Sequence, residues 1–195
     1  MIVLASGSAS RRAMLTAAGV AFEAVSPGVD EDAAKQALAG VDGRDLADAL
    51  AELKAVKVSA RLPDALVLGS DSVVELADGS LLDKPESRED AADHLLRMSG
   101  GVHDLHSAAV LAQDGRAIWR FVDRARLHVR PLSYNFVEAY LDAEWPAIAG
   151  CVGCFRVEGP GVQLFTRIEG SHFTVLGLPL LPVLNQLRVL GVLPL

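Results

Sequence analysis

The segment LASGSASRR, residues 4–12, joins a short apolar strand to a helix through small hydroxyl residues and ends in Arg11 and Arg12. Small residues let backbone N–H groups approach an anion, and a helix N-terminus adds a partial positive charge. Guanidinium groups match phosphate oxygens bidentately. The segment therefore predicts a site for a phosphorylated small molecule. An ordinary strand, a Ser8 or Ser10 N-cap and two solvated arginines form the alternative interpretation of the same residues.

Strand and helix patterns alternate through the first half of the chain, which is typical of α/β domains. Apolar residues at near-helical spacing predict a long helix over residues 45–60, and the apolar run at 65–69 predicts a buried strand that continues to Leu76. Asp114-Gly115 predicts the turn of an antiparallel hairpin. We expect one α/β unit over residues 1–195, or two closely packed lobes around a cleft. The other predicted strands are 2–5, 22–25, 106–112, 118–123, 125–129 and 162–168, and the other predicted helices are 10–18, 88–98, 135–142 and 180–190.

Composition and charge narrow the class of protein. The chain has 195 residues, of which 51% are hydrophobic, and this is enough to bury a substantial core. Its formal net charge of -7 argues against an extended nucleic-acid-binding face, which needs a basic surface. An acidic protein that binds an anionic ligand must concentrate positive charge inside a cleft. The composition therefore favours a small ligand over a nucleic acid polymer.

The two ends of the chain and its cysteines bear on the compartment. The first apolar run stops at Ser6, too short for a secretory signal, and prolines, glycines and polar residues interrupt the apolar stretch after Val175. We therefore expect a cytoplasmic protein with no membrane partner. Cys151 and Cys154 have CxxC spacing without a second Cys or His pair, which favours buried reduced thiols. A redox protein with an exchange-active thiol pair is the alternative.

Carboxylates stand at two points where chemistry is expected. Asp71 follows an apolar strand and is flanked by Gly69, Ser70 and Ser72, where α/β folds place their sites. It could bind a metal or act as a base, although a turn or N-cap aspartate has the same local sequence. Glu31 lies in an acidic triplet after a Pro-Gly turn, a pattern that most often only caps a following helix.

Three further charged residues are candidates for the same site. Lys84 precedes a proline that fixes the local backbone, so its side chain could be held toward a phosphate. Lys54 lies among apolar residues of the predicted long helix and could reach inward, although snorkelling to solvent is commoner. Glu158 lies in the Gly-rich segment CFRVEGPG and could meet a ligand edge, and a plain hairpin turn would explain it too.

Cationic and acidic residues together are what phosphoryl chemistry requires. A triphosphate repels its attacker until cations neutralise it, and an acid or a metal must orient the attacking water. The sequence contains no GxSxG, Walker A or GxGxxG motif, so acyl transfer and the common nucleotide-binding loops are not indicated. The candidate phosphate partners are Arg11, Arg12, Lys54 and Lys84, and the candidate oxygen ligands of magnesium are Glu31 and Asp71.

Several separated motifs, in order, cover nearly the whole chain. On them the sequence resembles the Maf family of nucleoside triphosphate pyrophosphatases, also known as septum-formation-inhibitor-like proteins. Motifs in a fixed order are far more specific than any one of them alone. They are LASGSASRRAML at 4–15, VDE at 29–31, LKA at 53–55, GSDSVV at 69–74, DKP at 83–85, LLRMSGGVH at 95–103 and GLPL at 177–180.

This resemblance implies hydrolysis of a nucleoside triphosphate to the monophosphate and pyrophosphate, with a divalent cation, Mg²⁺ or Mn²⁺. It also implies a cytoplasmic, often dimeric protein, with a mixed, strongly twisted sheet, flanking helices and a central cleft, as in the inosine triphosphatase-like fold. Asp71 would be the proton acceptor for the attacking water. Ser6, Arg11, Arg12 and Lys84 would hold the phosphates, and Glu31 and Lys54 would complete the charged cleft.

The choice of nucleobase depends on a few positions. The extra residue before the double arginine, the GSD form at 69–71 and the segment CFRVEGPGVQLF at 154–165 are similar to the branch that acts on 7-methyl-GTP. The branch that acts on dTTP and UTP typically has GAD followed by Thr, and Gln at the position of Glu158. A carboxylate suits the N–H donors of a guanine edge, whereas an amide can pair with a mixed edge.

Two positions depart from the 7-methyl-GTP branch. Ser10 stands where that branch commonly has Trp, and Ser72 where it commonly has Gln. Without the aromatic face, a cation–π contribution of about 1 to 2 kcal/mol to a methylated base is lost, so the base preference could broaden or move. The alternatives are a dTTP or UTP pyrophosphatase of the same family, and a nucleotide-binding regulator of cell division with little catalysis.

Overall fold

The computed structural model describes residues 1–194 as a seven-stranded mixed sheet with helices packed on its faces, which confirms the predicted fold class. The strands are β1 (Ile2–Ala5), β2 (Glu23–Ala24), β3 (Leu66–Leu76), β4 (Leu81–Leu82), β5 (Val102–Gln113), β6 (Arg116–Val129) and β7 (Phe165–Glu169). The helices are α1 (Ala9–Ala17), α2 (Glu31–Ala37), α3 (Gly43–Ser59), α4 (Arg88–Met98), α5 (Tyr134–Glu144), α6 (His172–Val175) and α7 (Leu180–Val189), and a 3-10 helix covers Pro160–Leu164.

The strand order is β2-β1-β3-β5-β6-β7, with β4 paired to β3 beside this path. β1 runs parallel to β3 and ends where Ala5 lies beside Gly69, whereas β4 pairs with β3 only at Val74 and Glu75. Residues 70–73 pair with β5 on one side, and on the other side no strand within residues 1–194 pairs with them. Because neighbouring side chains of a strand point to opposite faces, this open edge can present groups from both faces.

Different helices cover the two faces of the sheet. Small residues of α3 pack on β3 and β5, and the side chains of α1 and α7 pack around Leu68 on the opposite face. A second cluster on α4 and α5 includes Val74, further along β3. Within the described residues, no helix is both long enough and apolar enough to span a lipid bilayer. The open edge of β3 lies between the Leu68 and Val74 contacts.

Helix starts follow the polar residues of the sequence. In five of the helices, α1 to α5, a side-chain oxygen at the N-cap accepts a backbone N–H of the first turn, which satisfies a donor that would otherwise have no partner. Asp30 caps α2 in this way, so the acidic triplet caps a helix, as its most frequent interpretation expects. The capping residues are Ser8 for α1, Asp30 for α2, Asp42 for α3, Ser87 for α4 and Ser133 for α5.

Some element boundaries differ from those predicted. β6 is one strand over Arg116–Val129, because the polar residue Arg124 takes an exposed position in the alternation and does not break it. The predicted strand at 162–168 begins only at Phe165, after the 3-10 helix, so Glu158 does not lie in a hairpin turn. The predicted hairpin turn is confirmed: Asp114 and Gly115 both have positive φ, 51° and 73°.

Gly69 fixes the distance between α3 and β3. A Cβ placed there would lie 2.3 Å from the Ala51 carbonyl oxygen and 2.7 Å from the Ala55 nitrogen, both backbone atoms. We expect Gly69→Ala to lower the free energy of unfolding by about 1–3 kcal/mol, because the helix must move away from the strand. Chemical denaturation measures this loss. Gly150→Ala, where a Cβ meets nothing within 4 Å, is the control, and equal stabilities of the two variants would contradict the expectation.

Candidate active site

A cleft of about 650 Å³ lies along the open edge of β3. This volume is in the range of pockets that hold small molecules and cofactors. One part of its lining is charged and polar, and the other is formed by the segment between α5 and the 3-10 helix. The lining includes Ser6, Ser10, Arg11, Glu31, Lys54, Asp71, Ser72, Lys84, Phe155, Arg156 and Glu158.

Lys54 bridges the two carboxylates that the sequence singles out. Its Nζ lies 2.5 Å from Oδ1 of Asp71 and 2.8 Å from Oε1 of Glu31. Lys54 projects from α3 toward β3 and is only 4% exposed, so it reaches inward and does not snorkel to solvent. Asp71 is 7% exposed and lies on the open edge of β3. The three side chains carry a net charge of -1, which is available to a cation or a proton.

Glu31 is held ionised by its neighbours. Burial raises the pKa of Glu31, but the hydrogen bond from Lys54 and the positive charges of Lys54, Lys84 and Lys35 together outweigh it and lower that pKa below its ordinary value. Lys84 Nζ lies 3.5 Å from Oε2 of Glu31, and the Lys84 side chain is 52% exposed. Lys84 is therefore positioned at the mouth of the charged region, where a ligand can reach it.

Replacing Glu31 by Gln should cost stability in a pH-dependent way. With the pKa of Glu31 lowered in the folded state, the ionised carboxylate stabilises the fold above pH 4.5 and loses this effect as pH falls through the folded-state pKa. At pH 7 we expect Glu31→Gln to be about 1.5–3 kcal/mol less stable than the wild type. Thermal melts between pH 7 and pH 3 measure the difference, with Glu23→Gln, an exposed carboxylate on β2, as control. A deficit that is the same at both pH values would contradict the expectation.

Arg11 is the most constrained cation of the cleft. Its Nε donates to the Gly177 carbonyl at 2.7 Å, Nη1 to Ser6 Oγ at 3.3 Å and Nη2 to Ser72 Oγ at 3.0 Å. Burial lowers the pKa of the Arg11 guanidinium, and the charges of Asp71 and Glu31 partly offset this effect. Three of the five N–H donors are bonded, so the guanidinium is fixed in place and still has donors for a phosphate.

The neighbouring residues Arg12 and Ser10 are placed differently. Arg12 is exposed on α1 and is not among the residues that line the cleft, because successive helix residues project about 100° apart. The structure therefore places the Arg11 side chain in the cleft and the Arg12 side chain outside it. Ser10 lines the cleft, and its Oγ donates to the Leu176 carbonyl at 3.1 Å. Ser10 thus joins α1 to the turn that follows α6.

The opposite wall contains the predicted specificity residue Glu158. Its side chain is exposed and lies on the cleft lining. Arg156, two residues earlier, is anchored by Glu144 of α5, whose Oε2 accepts from Nε at 3.0 Å and from Nη2 at 2.8 Å. Phe155 is buried and packs edge-on against Phe165, with ring centroids 4.9 Å apart. This wall therefore offers an apolar surface with a carboxylate beside it.

The residues present fit a hydrated divalent cation. Mg²⁺ is usually held by one or two carboxylates, with waters and substrate phosphates completing its shell. Glu31 and Asp71, brought together by Lys54, are such a pair. Within residues 1–194 no group of three or more His, Cys, Asp and Glu side chains forms a cage for a metal, so any cation here depends on ligand oxygens.

The two cysteines have the properties of protonated thiols. Burial raises the pKa of Cys154 to about 12, and burial also raises that of Cys151. Cys154 is buried, with its Sγ 3.6 Å from Nδ1 of His94. Because the thiolate is the reactive form, these surroundings disfavour thiol exchange at neutral pH. The structure thus supports reduced thiols over a redox pair, although only Cys154 is buried and Cys151 is half-buried.

Several polar residues of the site were not predicted from the sequence. The Gly177 carbonyl, which holds Arg11, also accepts from Ser70 Oγ at 3.2 Å. Ser107 of β5 lies 2.9 Å from Ser72, oxygen to oxygen. Ser107 is a polar residue within the apolar run of β5, and this is the one signal in the sequence that could have indicated it. Gly177 opens the GLPL motif, but its sequence does not indicate that its carbonyl is used.

Comparison with known proteins places these features in a family. The family model described as Maf-like protein matches residues 1–190. A nucleoside triphosphate pyrophosphatase of Sphingopyxis alaskensis is 51% identical over 195 residues, covering 99% of this chain and 98% of that protein. A 7-methyl-GTP pyrophosphatase of Mesorhizobium japonicum is 47% identical over 192 residues, covering 97% of this chain and 96% of that protein.

One solved structure and one further relative complete the comparison. A HAM1 protein from Coxiella burnetii aligns with 66% of this chain and 72% of its own length, at a TM-score of 0.46 and 13% identity. A nucleoside triphosphate pyrophosphatase of Caulobacter vibrioides is 52% identical over 194 residues, covering 98% of this chain and 96% of that protein. With a family model matched over nearly its whole length and relatives this similar, the chain belongs to the Maf family.

Proposed function

We propose that this protein is a nucleoside triphosphate pyrophosphatase, a hydrolase that releases a nucleoside monophosphate and pyrophosphate. The observation that carries the proposal is the Asp71–Lys54–Glu31 cluster, with its 2.5 and 2.8 Å contacts, in the same cleft as the fixed guanidinium of Arg11. A base and anion-binding donors thus stand together. The relatives named pyrophosphatases support the same activity.

In this proposal Asp71 accepts the proton of the attacking water. Its carboxylate is nearly buried, and the Lys54 ammonium at 2.5 Å fixes its orientation. Water attacks the phosphorus nearest the nucleoside, a P–O bond forms, and the bond to the leaving pyrophosphate oxygen breaks. Arg11 and Lys84 neutralise the phosphate charge that otherwise repels the nucleophile as it loses its proton, and Ser6 Oγ accepts from Arg11 Nη1.

A divalent cation, Mg²⁺ or Mn²⁺, belongs to the same proposal. Glu31 and Asp71 would hold it, and the bound cation would neutralise phosphate charge and polarise a phosphoryl oxygen. Lys54 holds the two carboxylates together, because it contacts both. Glu31 therefore needs no proton to remain beside Asp71 at neutral pH.

We propose guanine, methylated or not, as the preferred base. Glu158 is the carboxylate on the base side of the cleft, and it suits the N–H donors of a guanine edge. The relatives named 7-methyl-GTP pyrophosphatases, at 47% and 45% identity, support this choice. Ser10 supplies no aromatic face, so we expect a broader preference than a stacking site would give.

The proposal is tested with a panel of 7-methyl-GTP, GTP, UTP, dTTP and CTP, assayed with Mg²⁺ and with Mn²⁺. Monophosphate and pyrophosphate are identified separately, because release of inorganic phosphate would indicate a different cleavage. Release of pyrophosphate from a guanine nucleotide at the highest kcat/KM is the expected result. Preference for dTTP or UTP would show that the protein is a pyrophosphatase for thymine or uracil nucleotides. Tight nucleotide binding without product would instead favour a regulatory protein.

Replacing Glu158 by Gln should move the base preference. The amide keeps the size of the side chain but replaces an acceptor-only group by one donor and one acceptor end. We expect kcat/KM for GTP to fall about tenfold relative to that for UTP, since one charged hydrogen bond contributes about 1.5 kcal/mol or more. Glu138→Gln, an exposed carboxylate on α5, is the control. An unchanged GTP to UTP ratio would remove Glu158 from base recognition.

A cytoplasmic homodimer is part of the proposal as well. Ile118 and Phe121 of β6 are 47% and 39% exposed, and we propose that they contribute apolar contacts between two copies. Sedimentation velocity of the purified protein tests this assignment. A monomer at micromolar concentration would contradict it.

A further inference from the structure

A chain of hydrogen bonds runs from the cleft into the sheet behind Ser72. Ser72 and Ser107 lie opposite each other on β3 and β5, with their Oγ atoms 2.9 Å apart. Ser107 Oγ donates to the Thr174 carbonyl at 2.9 Å. Thr174 is fixed in turn, because its Oγ1 donates to Asp123 Oδ2 at 2.5 Å. Ser107 and Thr174 are completely buried.

The direction of each bond in this chain is determined by the number of protons. A hydroxyl has one proton and two lone pairs, and a carbonyl has no proton. Ser107 uses its proton toward Thr174, so in its contact with Ser72 it must be the acceptor. Ser72 therefore donates its only proton to Ser107. In its 3.0 Å contact with Arg11, Ser72 is the acceptor, which agrees with the guanidinium having donors only.

Among residues 1–194, no other acceptor is a better partner than Ser107 for the Ser72 proton. The nearest one is the Gly177 carbonyl at 3.4 Å, which already accepts from Arg11 Nε at 2.7 Å and from Ser70 Oγ at 3.2 Å. Two bonds occupy both lone pairs of that oxygen. Ser72 is half-buried and lines the cleft, so the lone pair that remains on its oxygen is open to a ligand.

We infer that Ser107 is a specificity-determining residue, which holds Ser72 as an acceptor-only group beside Asp71. The cleft then favours a nucleotide that presents a hydrogen-bond donor at this point, and it disfavours one that presents an acceptor. The donor is a ring N–H or amino group of the base, or a hydroxyl of the sugar. Ser107 acts through Ser72 and does not touch the ligand. The inference rests on the proposed function.

Ser107→Ala tests this inference. Without Ser107 as acceptor, the Ser72 proton can turn toward the ligand, and acceptor groups are then tolerated as well as donors. The pairs UTP/CTP and ITP/ATP exchange donor and acceptor at two adjacent ring positions, and GTP/dGTP differ by one sugar hydroxyl. We expect the wild type to prefer one member of at least one pair, and Ser107→Ala to reduce that ratio of kcat/KM values about 3- to 10-fold.

Three further variants separate specificity from stability. Ser59→Ala removes an equally buried hydroxyl at the end of α3, outside the cleft, and should leave every ratio unchanged. Ser107→Thr keeps a hydroxyl at this position, unlike Ser107→Ala, and should show the wild-type ratio of kcat/KM values. Ser107→Cys retains the bulk with a weakly bonding thiol and replaces the alanine variant if that variant does not fold.

The outcomes are distinct. A wild type without preference in any pair, a Ser107→Ala variant with unchanged ratios, or one whose rates fall equally for all nucleotides would overturn the inference. The nucleotide pair whose ratio of kcat/KM values is reduced identifies the donor: UTP/CTP or ITP/ATP indicates the base, and GTP/dGTP indicates the sugar. A wild type that releases pyrophosphate from no nucleotide would instead overturn the proposed function itself.

Discussion

Asp71→Asn should lower kcat by about 10²- to 10⁴-fold, the contribution of a positioned general base. The amide has the same shape as the carboxylate but cannot accept the proton of the attacking water. Asp71 is the nearly buried carboxylate at the open edge of β3, and Lys54 already neutralises much of its charge. Nucleotide affinity should therefore change far less than turnover, because Arg11 and Lys84 remain in place.

Single-turnover pyrophosphate release measures the loss, and calorimetric titration with a nucleotide measures the binding that remains. Asp32→Asn is the matched control, since it removes a carboxylate of the same acidic triplet as Glu31 from the exposed side of α2. Full turnover of Asp71→Asn at saturating Mg²⁺ would show that another group activates the water. A loss of nucleotide affinity with kcat unchanged would assign Asp71 to binding alone.

Local patterns in the sequence were sufficient for most of the fold and for several charged residues that line the cleft. Apolar periodicity located α3 and β3. Asp71 was expected at the end of an apolar strand, and the structure places it within β3, where no strand within residues 1–194 pairs with it on the side away from β5. The segment 4–12 indicated Arg11 because small residues and a helix start precede it. The positions of these elements and of Arg11 and Asp71 could be predicted because the signals are confined to a few neighbouring residues.

The sequence could not give features that depend on distant residues. Lys54 points inward because Gly69 lets α3 approach β3, and two alanine backbones at 2.3 and 2.7 Å from a notional Cβ show how close that approach is. The sequence alone does not distinguish Arg11 from Arg12, and the helix geometry determines that only Arg11 faces the cleft. The partner of Ser72 is Ser107 because β3 and β5 pair in one register, which no local pattern of either strand reveals.

Lys54→Met should cause the largest loss of stability of any substitution in the cleft. The ammonium is the shared partner of Asp71 and Glu31, at 2.5 and 2.8 Å, and its side chain is 6% exposed. Removing it leaves two carboxylates facing each other in a poorly solvated place. Loss of one partner from a buried ion pair costs about 3–5 kcal/mol, so the free energy of unfolding at pH 8 should fall by that amount.

The pH dependence of this loss identifies its cause. Without Lys54 the two carboxylates repel each other, so one of them acquires a folded-state pKa above its unfolded value. The resulting penalty is present above that pKa and disappears as pH falls through it and the group takes up a proton. Urea denaturation at pH 8 and pH 5 should therefore show a smaller deficit at pH 5, whereas Lys57→Met, one turn along α3, should show little deficit at either pH. Equal deficits of Lys54→Met at the two pH values would mean that lost packing, and not charge, is what Lys54 supplies.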